Sequence, residues 1–459
     1  MVQNPSNTPV TRRDLLHIGV TAGAAVATGG IGLLTSGGPA LAQDDPTPTP
    51  DVATSGQGDT KLQFLSVVST TSPSGEARLR VLNKFAEANP GVSINYEAVP
   101  YDQFFSQLVT RALAGDAPEI AQDGHHTAQF VANDTLVAFD EYMSRDGVTK
   151  EAYWPALWSL GDFVGQTWSI PFTIDTRFTY SNQSLYDTMG VAVPDTWDQM
   201  FDAGTAAKAN GLLAAYGMTM TGDVSGLWET GSNFAKTNGG QLMLINDDSS
   251  ATSNLSSAEV VETVEFLKRV IDEQVVPEGS LALQGSEVES YFKTNQIATQ
   301  CTGNWMIAGF KAAKEAGEMD FVPVLSHVPM AKQRGASAGG WGWYVFKTID
   351  DPDLGWNLVK FFLDDDNVNE GWPDSLPPGT GQLALPYYAA EPANAFVAEV
   401  LEYASWPIPP VAGYFELMPP MWQAMVKAFT GQASVADAMK AGDEEVQRLL
   451  DSGHNTMVG

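Results

Sequence analysis

The chain has 459 residues, with 24 basic and 55 acidic side chains and a formal net charge of −31. Such a surface disfavours nucleic acid and anionic membrane as partners, and it disfavours a strongly anionic ligand unless a local basic pocket receives it. Charged residues are only 17% of the chain, so most of the surface is neutral polar, and a single cysteine, Cys301, excludes an intrachain disulfide and any Cys-x-x-Cys metal or redox site.

The N-terminus reads as an export signal over residues 1–42. Thr11-Arg12-Arg13-Asp14-Leu15-Leu16 has the twin-arginine pattern, Ile18 to Leu34 is a weakly apolar Gly/Ala-rich stretch, and Ala40-Leu41-Ala42 is an A-x-A cleavage site. Retention of that stretch as an uncleaved anchor is the alternative. Cys301 lies far from it, so there is no lipobox. Residues 43–60, rich in Pro, Thr, Ser and Gly, have no apolar periodicity and read as a solvated linker. The globular part then starts near Lys61 and holds about 400 residues, enough for two lobes.

Lys61 to Val68 is a predicted strand. Ser72-Pro73 supplies an N-cap and a proline at the first helical position, and Leu79, Leu82, Phe85 and Ala86 share one face of the helix that Asn89-Pro90-Gly91 ends. Val92 to Val99 alternates as a strand, Phe105, Leu108, Val109 and Ala112 mark a second helix closed by Gly115, and a short strand starts at Pro118-Glu119-Ile120. This βαβα order predicts a mostly parallel sheet covered by helices. Further on, Thr167 to Ile170 is a strand that Pro171 stops. Phe172 to Tyr180 is β-rich and carries a lone carboxylate, Asp175, which a buried strand tolerates only with a partner. Ser184 to Met189 is helical, and Pro194-Asp195-Thr196-Trp197 opens another helix with Asp195 or Thr196 as N-cap. Ser256-x-x-Glu259 has the spacing of a capping box ahead of the stripe Val260, Val264, Leu267, Ile271. No internal repeat at a fixed short period is present.

Gly165, Trp168, Pro171, Asn182, Leu185, Gly190, Pro194, Thr196 and Trp197 resemble the domain-crossing segment of family 1 extracellular solute-binding proteins, with Ser181 where that family usually has tyrosine. Leu79 to Ile120, Thr135 to Asp140, Tyr291 to Trp305, and Gly339-Gly340 followed by Pro352 to Leu363 resemble further blocks of the family in the same order, with departures at Glu119, Asn295 and Gln300. The chain thus resembles the sugar receptors of ATP-driven importers from about residue 61 to the C-terminus. The resemblance implies an α/β, two-lobed periplasmic-binding-protein fold (type II), each lobe a mostly parallel sheet flanked by helices, with the ligand cleft at the hinge. The implied division is 61–172 and 331–385 for lobe 1, and 173–330 and 386–459 for lobe 2. It also implies a monomeric, cofactor-free, non-enzymatic receptor in the periplasm or on the outer face of the cytoplasmic membrane. Its partners would be a neutral sugar or oligosaccharide and the membrane subunits of an ABC importer.

In such a fold, ligands sit beyond the carboxyl ends of strands. Ser69, Thr70 and Ser72 follow the first strand, Asp123, His125 and His126 follow the strand at Ile120, and Asn304 and Trp305 follow the strand Ile297 to Cys301. Polar groups there can bond sugar hydroxyls, and an indole can cover a sugar's apolar face. The resemblance adds Asp175, Trp228, Glu229, Gly340, Trp341 and Trp422 as cleft residues. Each has a competing structural reading: helix capping for the Ser/Thr cluster, pairing with Arg177 or a backbone amide for Asp175, and packing for the tryptophans.

Other classes are weaker. Asp123 with the adjacent His125 and His126 lacks the four spaced ligands of a structural zinc site, so no metal is expected. Tyr387-Tyr388 is similar to the paired tyrosines of ferric-iron receptors, and a glycerol-phosphate receptor is a further alternative ligand class. Gly379-Thr380-Gly381 fits a dinucleotide motif only as letters, because Pro377-Pro378 precedes it instead of a strand. No G-x-S-x-G or H-E-x-x-H occurs. A secreted carbohydrate-active enzyme, needing two carboxylates at the scissile bond, remains the alternative that counting acidic residues leaves open.

Overall fold

The computed structural model describes residues 51–454, apart from Gly124, Pro155, Ala156, Ser159, Leu160, Asp223, 247–249, Asp374, Pro410 and Ala412. The export signal and the first part of the linker lie outside the described residues. The elements used below are β1 (Asp51–Gly56), β2 (Thr60–Ser66), α1 (Pro73–Ala88), β3 (Val92–Ala98), α2 (Tyr101–Leu113), β4 (Ile120–Asp123), β5 (Ile170–Ser181), α3 (Gln183–Met189), α4 (Trp197–Ala209), β6 (Ala214–Met218), α5 (Ser232–Thr237), α6 (Ala258–Asp272), α7 (Gly285–Lys293), β7 (Ile297–Gly303), α8 (Met306–Glu315), β8 (Ala336–Val345), α9 (Tyr414–Phe429) and α10 (Val435–Leu449).

Local chemistry sets most of these boundaries. Ser72 accepts the Gly75 N–H at 3.1 Å and Pro73 opens α1. Thr196 caps α4 in a full capping box with Gln199. The box expected at Ser256 does not form. Ser257 is the N-cap of α6, and Ser256 donates its hydroxyl at 2.6 Å to Asp443 of α10 instead. A tertiary acceptor has displaced the local one.

Residues 51–56, expected in the linker, form β1, which pairs antiparallel with β3 from Asp51↔Ala98 to Gly56↔Ser93. The Asp51 carboxylate takes the Thr70 N–H at 3.1 Å and the Thr70 hydroxyl, tying the strand's start to the turn after β2. An edge strand is held by backbone pairing, so its short polar sequence carries little side-chain signal.

The main sheet has ten strands, in the order β1-β3-β2-β4-β8-β5-β7-β6 with two short strands off this path. Pairing is parallel for β3-β2-β4 and for β7-β6, and antiparallel where β8 and β5 run through the centre. The sheet is therefore mixed. Pro171 lies inside β5 rather than ahead of it: the β8 register shifts between Trp341 and Gly342, and Pro171 falls opposite Gly342 at that irregularity. A proline, having no N–H, is tolerated in a central strand at such a place.

Two large cores flank the sheet. One gathers β2, α1, β3, β5 and β8 around Phe64, Phe172, Trp343 and Trp356. The other gathers α4, α6, α9 and α10 around Trp197, Leu267, Met421 and Trp422. All twelve residues of β5 are buried, and its first half pairs with β8 while its second half pairs with β7. β5 is thus the backbone element common to both halves. Among the described residues no helix is long and apolar enough to cross a membrane.

Candidate functional site

The central strands, the helix starts beside them and the turn after β6 enclose a cavity of about 480 Å³, inside the usual range of small-molecule sites, roughly 300–1,000 Å³. Its wall includes His125, Asp175, Trp228, Glu229, Trp305, Gly340 and Trp341, seven of the residues singled out from the sequence.

An ion cluster forms its floor. Asp175 and Arg177 sit two apart on β5 and so face the same side of the sheet. Arg177 donates from Nη1 to Asp175, and from Nε and Nη2 to Glu229 Oε1 at 3.0 and 2.9 Å. All three are largely removed from water, Arg177 being only 7% exposed. Burial alone would weaken the guanidinium as a base, yet the two carboxylates hold its pKa above the ordinary arginine value. Burial likewise raises the Glu229 carboxyl, with Arg177 opposing it. A buried charge needs such partners. Gly339 of β8 lies opposite Asp175, and a Cβ there would collide with both members of the Asp175–Arg177 pair.

Indoles surround this cluster. The Arg177 guanidinium stands 4.7 Å from the Trp305 ring centre and 5.4 Å from that of Trp228. Trp228 lies in a π-helical turn, Leu227–Gly231, and its Nε1 donates to the Ala338 carbonyl at 3.2 Å. Trp305 opens α8 with its ring folded over Gly303, whose missing Cβ makes the space. Trp341 meets Tyr101 and His125 edge-on at 6.3 and 5.6 Å. Gly340 leaves room for Leu157 and the Thr173 carbonyl, each of which a Cβ would meet at 2.6 Å.

Sequence reasoning missed Tyr101, Thr219, Glu289, Gln300 and Thr302 in this wall, and it treated Arg177 only as a partner for Asp175. Strand alternation carried the signal for two of them. Cys301 faces the second core, so Gln300 and Thr302 face the cavity. Burial pushes the Cys301 thiol up to about 12, which leaves it unreactive. Two acceptors in the wall, Glu229 Oε2 and Gln300 Oε1, are buried with no hydrogen-bond partner among the described residues. Glu289 is paired with Lys293 at 2.6 Å.

His125 packs edge-on against Trp228, Trp341, Trp406 and Phe415. Burial drives its pKa down to about 4, so the ring is neutral near pH 7. His126 points elsewhere. Its Nδ1 lies 2.8 Å from Asp123 Oδ2, and its ring stacks on Phe415 at 4.7 Å. Burial acts against protonation there, but the Asp123 carboxylate outweighs it and raises the His126 pKa.

The remaining expected residues lie outside this cavity wall. Ser72 is the α1 cap, Thr70 is bound to Asp51, and the Ser69 carbonyl accepts the Ser72 hydroxyl at 2.8 Å, so this trio builds a turn. Asp123 is fully buried beneath His126. Asn304 accepts the Thr176 N–H at 2.8 Å and joins β5 to the start of α8. Trp422 is a core residue, 2% exposed, against Gly226, Gly231 and Phe429. Tyr387 and Tyr388 border a separate, smaller cavity, where the Tyr388 hydroxyl accepts the Trp372 N–H at 3.2 Å. Among the described residues no cluster of three or more His, Cys, Asp or Glu side chains is arranged to hold a metal ion.

The chain is 22% identical over 409 residues to a binding protein of Brucella abortus strain 2308, covering 86% of this chain and 93% of that one. It is similar in structure to an ABC transporter solute-binding protein of Thermotoga lettingae TMO bound with α-D-tagatose, with a TM-score of 0.75, 19% identity, and coverage of 85% of this chain and 100% of that one. It is also similar to the GacH receptor of Streptomyces glaucescens, solved unliganded and with acarbose, with a TM-score of 0.74, 18% identity, and coverage of 86% and 99%. Both likenesses are of fold, and the large mixed sheet flanked by helices in this chain has the two-lobed periplasmic-binding-protein architecture. Residues 69–369 match the sequence profile of the bacterial extracellular solute-binding proteins, and the chain belongs to that family.

Proposed function

We propose that this protein is an exported receptor that captures a neutral sugar or oligosaccharide in the 480 Å³ cleft and delivers it to an ABC importer. The observation that carries this reading is the pairing of indole faces with unpartnered acceptors. Trp305 and Trp341, both partly exposed, offer apolar ring surface, while Glu229 Oε2 and Gln300 Oε1 are buried and lack donors among the described residues. A pyranose supplies both complements, a C–H face and a rim of hydroxyl donors.

The charge of the wall favours a neutral ligand over glycerol-phosphate. The wall carries three carboxylates, Asp175, Glu229 and Glu289, and one guanidinium, Arg177, which Asp175 and Glu229 already bind while Glu289 is paired with Lys293. Lobe movement about β5, the 61–172/173–330/331–385/386–459 division and the twin-arginine route belong to this reading. A thermal-shift screen over neutral saccharides tests it. A ligand at about 100 times its Kd stabilises a protein by roughly 2.7 kcal/mol. Release of cleaved product in the same samples would replace the receptor by an enzyme.

A further inference from the structure

A smaller cavity of about 270 Å³ adjoins the cleft. Ser375 lines both, and the start of α8 separates them: Trp305 and Met306 face the cleft, whereas Ile307 and Lys311 face the smaller space. Its volume falls just below the range for a complete small-molecule site, roughly 300 Å³ and upward, as an end compartment should.

We infer that this second cavity is an extension subsite that receives one further ring of a neutral oligosaccharide whose main part lies in the cleft; the inference rests on the sugar reading above. Three features build the compartment. Tyr387 is 38% exposed at its border. The Tyr387 ring lies against Gly371, where φ is +93° and any Cβ would collide with it, and the Tyr387 N–H is fixed by Asn369 Oδ1 at 2.9 Å. The ring stands edge-on to Tyr388 at 5.1 Å, so the core holds one side of it and the partly exposed remainder borders the cavity. Trp372 is 1% exposed, and its indole Nε1 has no hydrogen-bond partner among the described residues. A buried donor of this kind is matched by a hydroxyl or ring oxygen. Lys311 and Glu391 pair across the wall at 3.5 Å, so the charges there cancel and neither sign of ligand is selected.

Calorimetric titration with mono-, di-, tri- and tetrasaccharides tests the subsite, using whichever of the maltose, laminaribiose, cellobiose and xylobiose series stabilises the full chain. Affinity should rise by about tenfold or more at the chain length that reaches the second cavity. Tyr387→Ala should remove that gain and leave the shorter members unchanged. Ala308→Trp, which fills the cavity from α8, should do the same while leaving Tyr387 in place. Equal affinity at every length together with no effect of either variant overturns the subsite but keeps the sugar reading. A flat response to all four series overturns the sugar reading and the subsite with it.

Discussion

Trp305 is where a packing role and a ligand role are separated most sharply. Its side chain is partly exposed and belongs to neither large core. It rests on Gly303 and on the Arg177 guanidinium 4.7 Å away. Trp305→Ala therefore removes one cation–π contact, worth about 0.5–1 kcal/mol where partly exposed, plus a fraction of a side chain's burial. The expected stability loss is about 1–2 kcal/mol, well under the 3–5 kcal/mol or so of a truncated core aromatic. Sugar affinity should fall by about 2 kcal/mol or more, roughly 30-fold, as for a central aromatic anchor. Titration calorimetry and urea unfolding on the same preparation read both quantities. Unchanged affinity with a stability loss near that of a core aromatic would falsify the ligand role and return Trp305 to packing.

Gly339→Ala should break the Asp175–Arg177 pair from the opposite strand, lowering stability by about 1–3 kcal/mol and weakening sugar binding; an alanine that leaves both unchanged would show that the cluster is looser than its geometry. His125→Gln tests the pH dependence. The native ring titrates near 4 because it is buried, below its ordinary value of 6.5, so the unfolded chain binds the extra proton between those values. Wild type should lose up to about 3 kcal/mol from this group as pH falls through that window, and the variant should not. His126 has the opposite sign: with its pKa raised, its contribution is complete below about 6.5 and is lost as pH climbs through the native value. Both proteins retain His126, so it cancels in the difference, and parallel stability curves would refute the His125 assignment. Replacing Arg12 and Arg13 together by lysine should leave precursor in the cytoplasm, scored by fractionation; full export of that double variant would sink the twin-arginine assignment.

The parts of the fold legible in the sequence are those decided within a few residues. Ser72-Pro73 and Thr196 announce helix starts because a cap and its amide lie three positions apart. Ser256 misleads for the same reason, since its acceptor, Asp443, is distant in sequence. β1 escaped because an edge strand is specified by the β3 backbone it meets. Within the site, Trp305 beside Gly303 was readable, as was the even–odd alternation that turns Gln300 and Thr302 away from Cys301. What separates Trp305 from Trp422 was not. Trp305 opens a helix and Trp422 lies within one, and it is the packing of Gly226, Gly231 and Phe429 against Trp422 that consigns it to the interior. Nor does local sequence bring Phe415 onto His126, which requires α9 to reach the turn after β4.

The place of β8 governs the order in which this molecule can be completed. β8 fills the gap between β4 and β5, pairing with both, yet it follows β4 by about 200 residues in the chain. At roughly 5–20 residues per second, synthesis leaves β4 and β5 with open flanks for on the order of 10–40 s. During that interval two unpaired strand edges are available to other chains, and long-range pairings of this kind close slowly. The nascent protein therefore passes through a stage in which it needs shielding rather than stability, and a defect confined to β8 should appear as aggregation during synthesis before it appears as weakened binding.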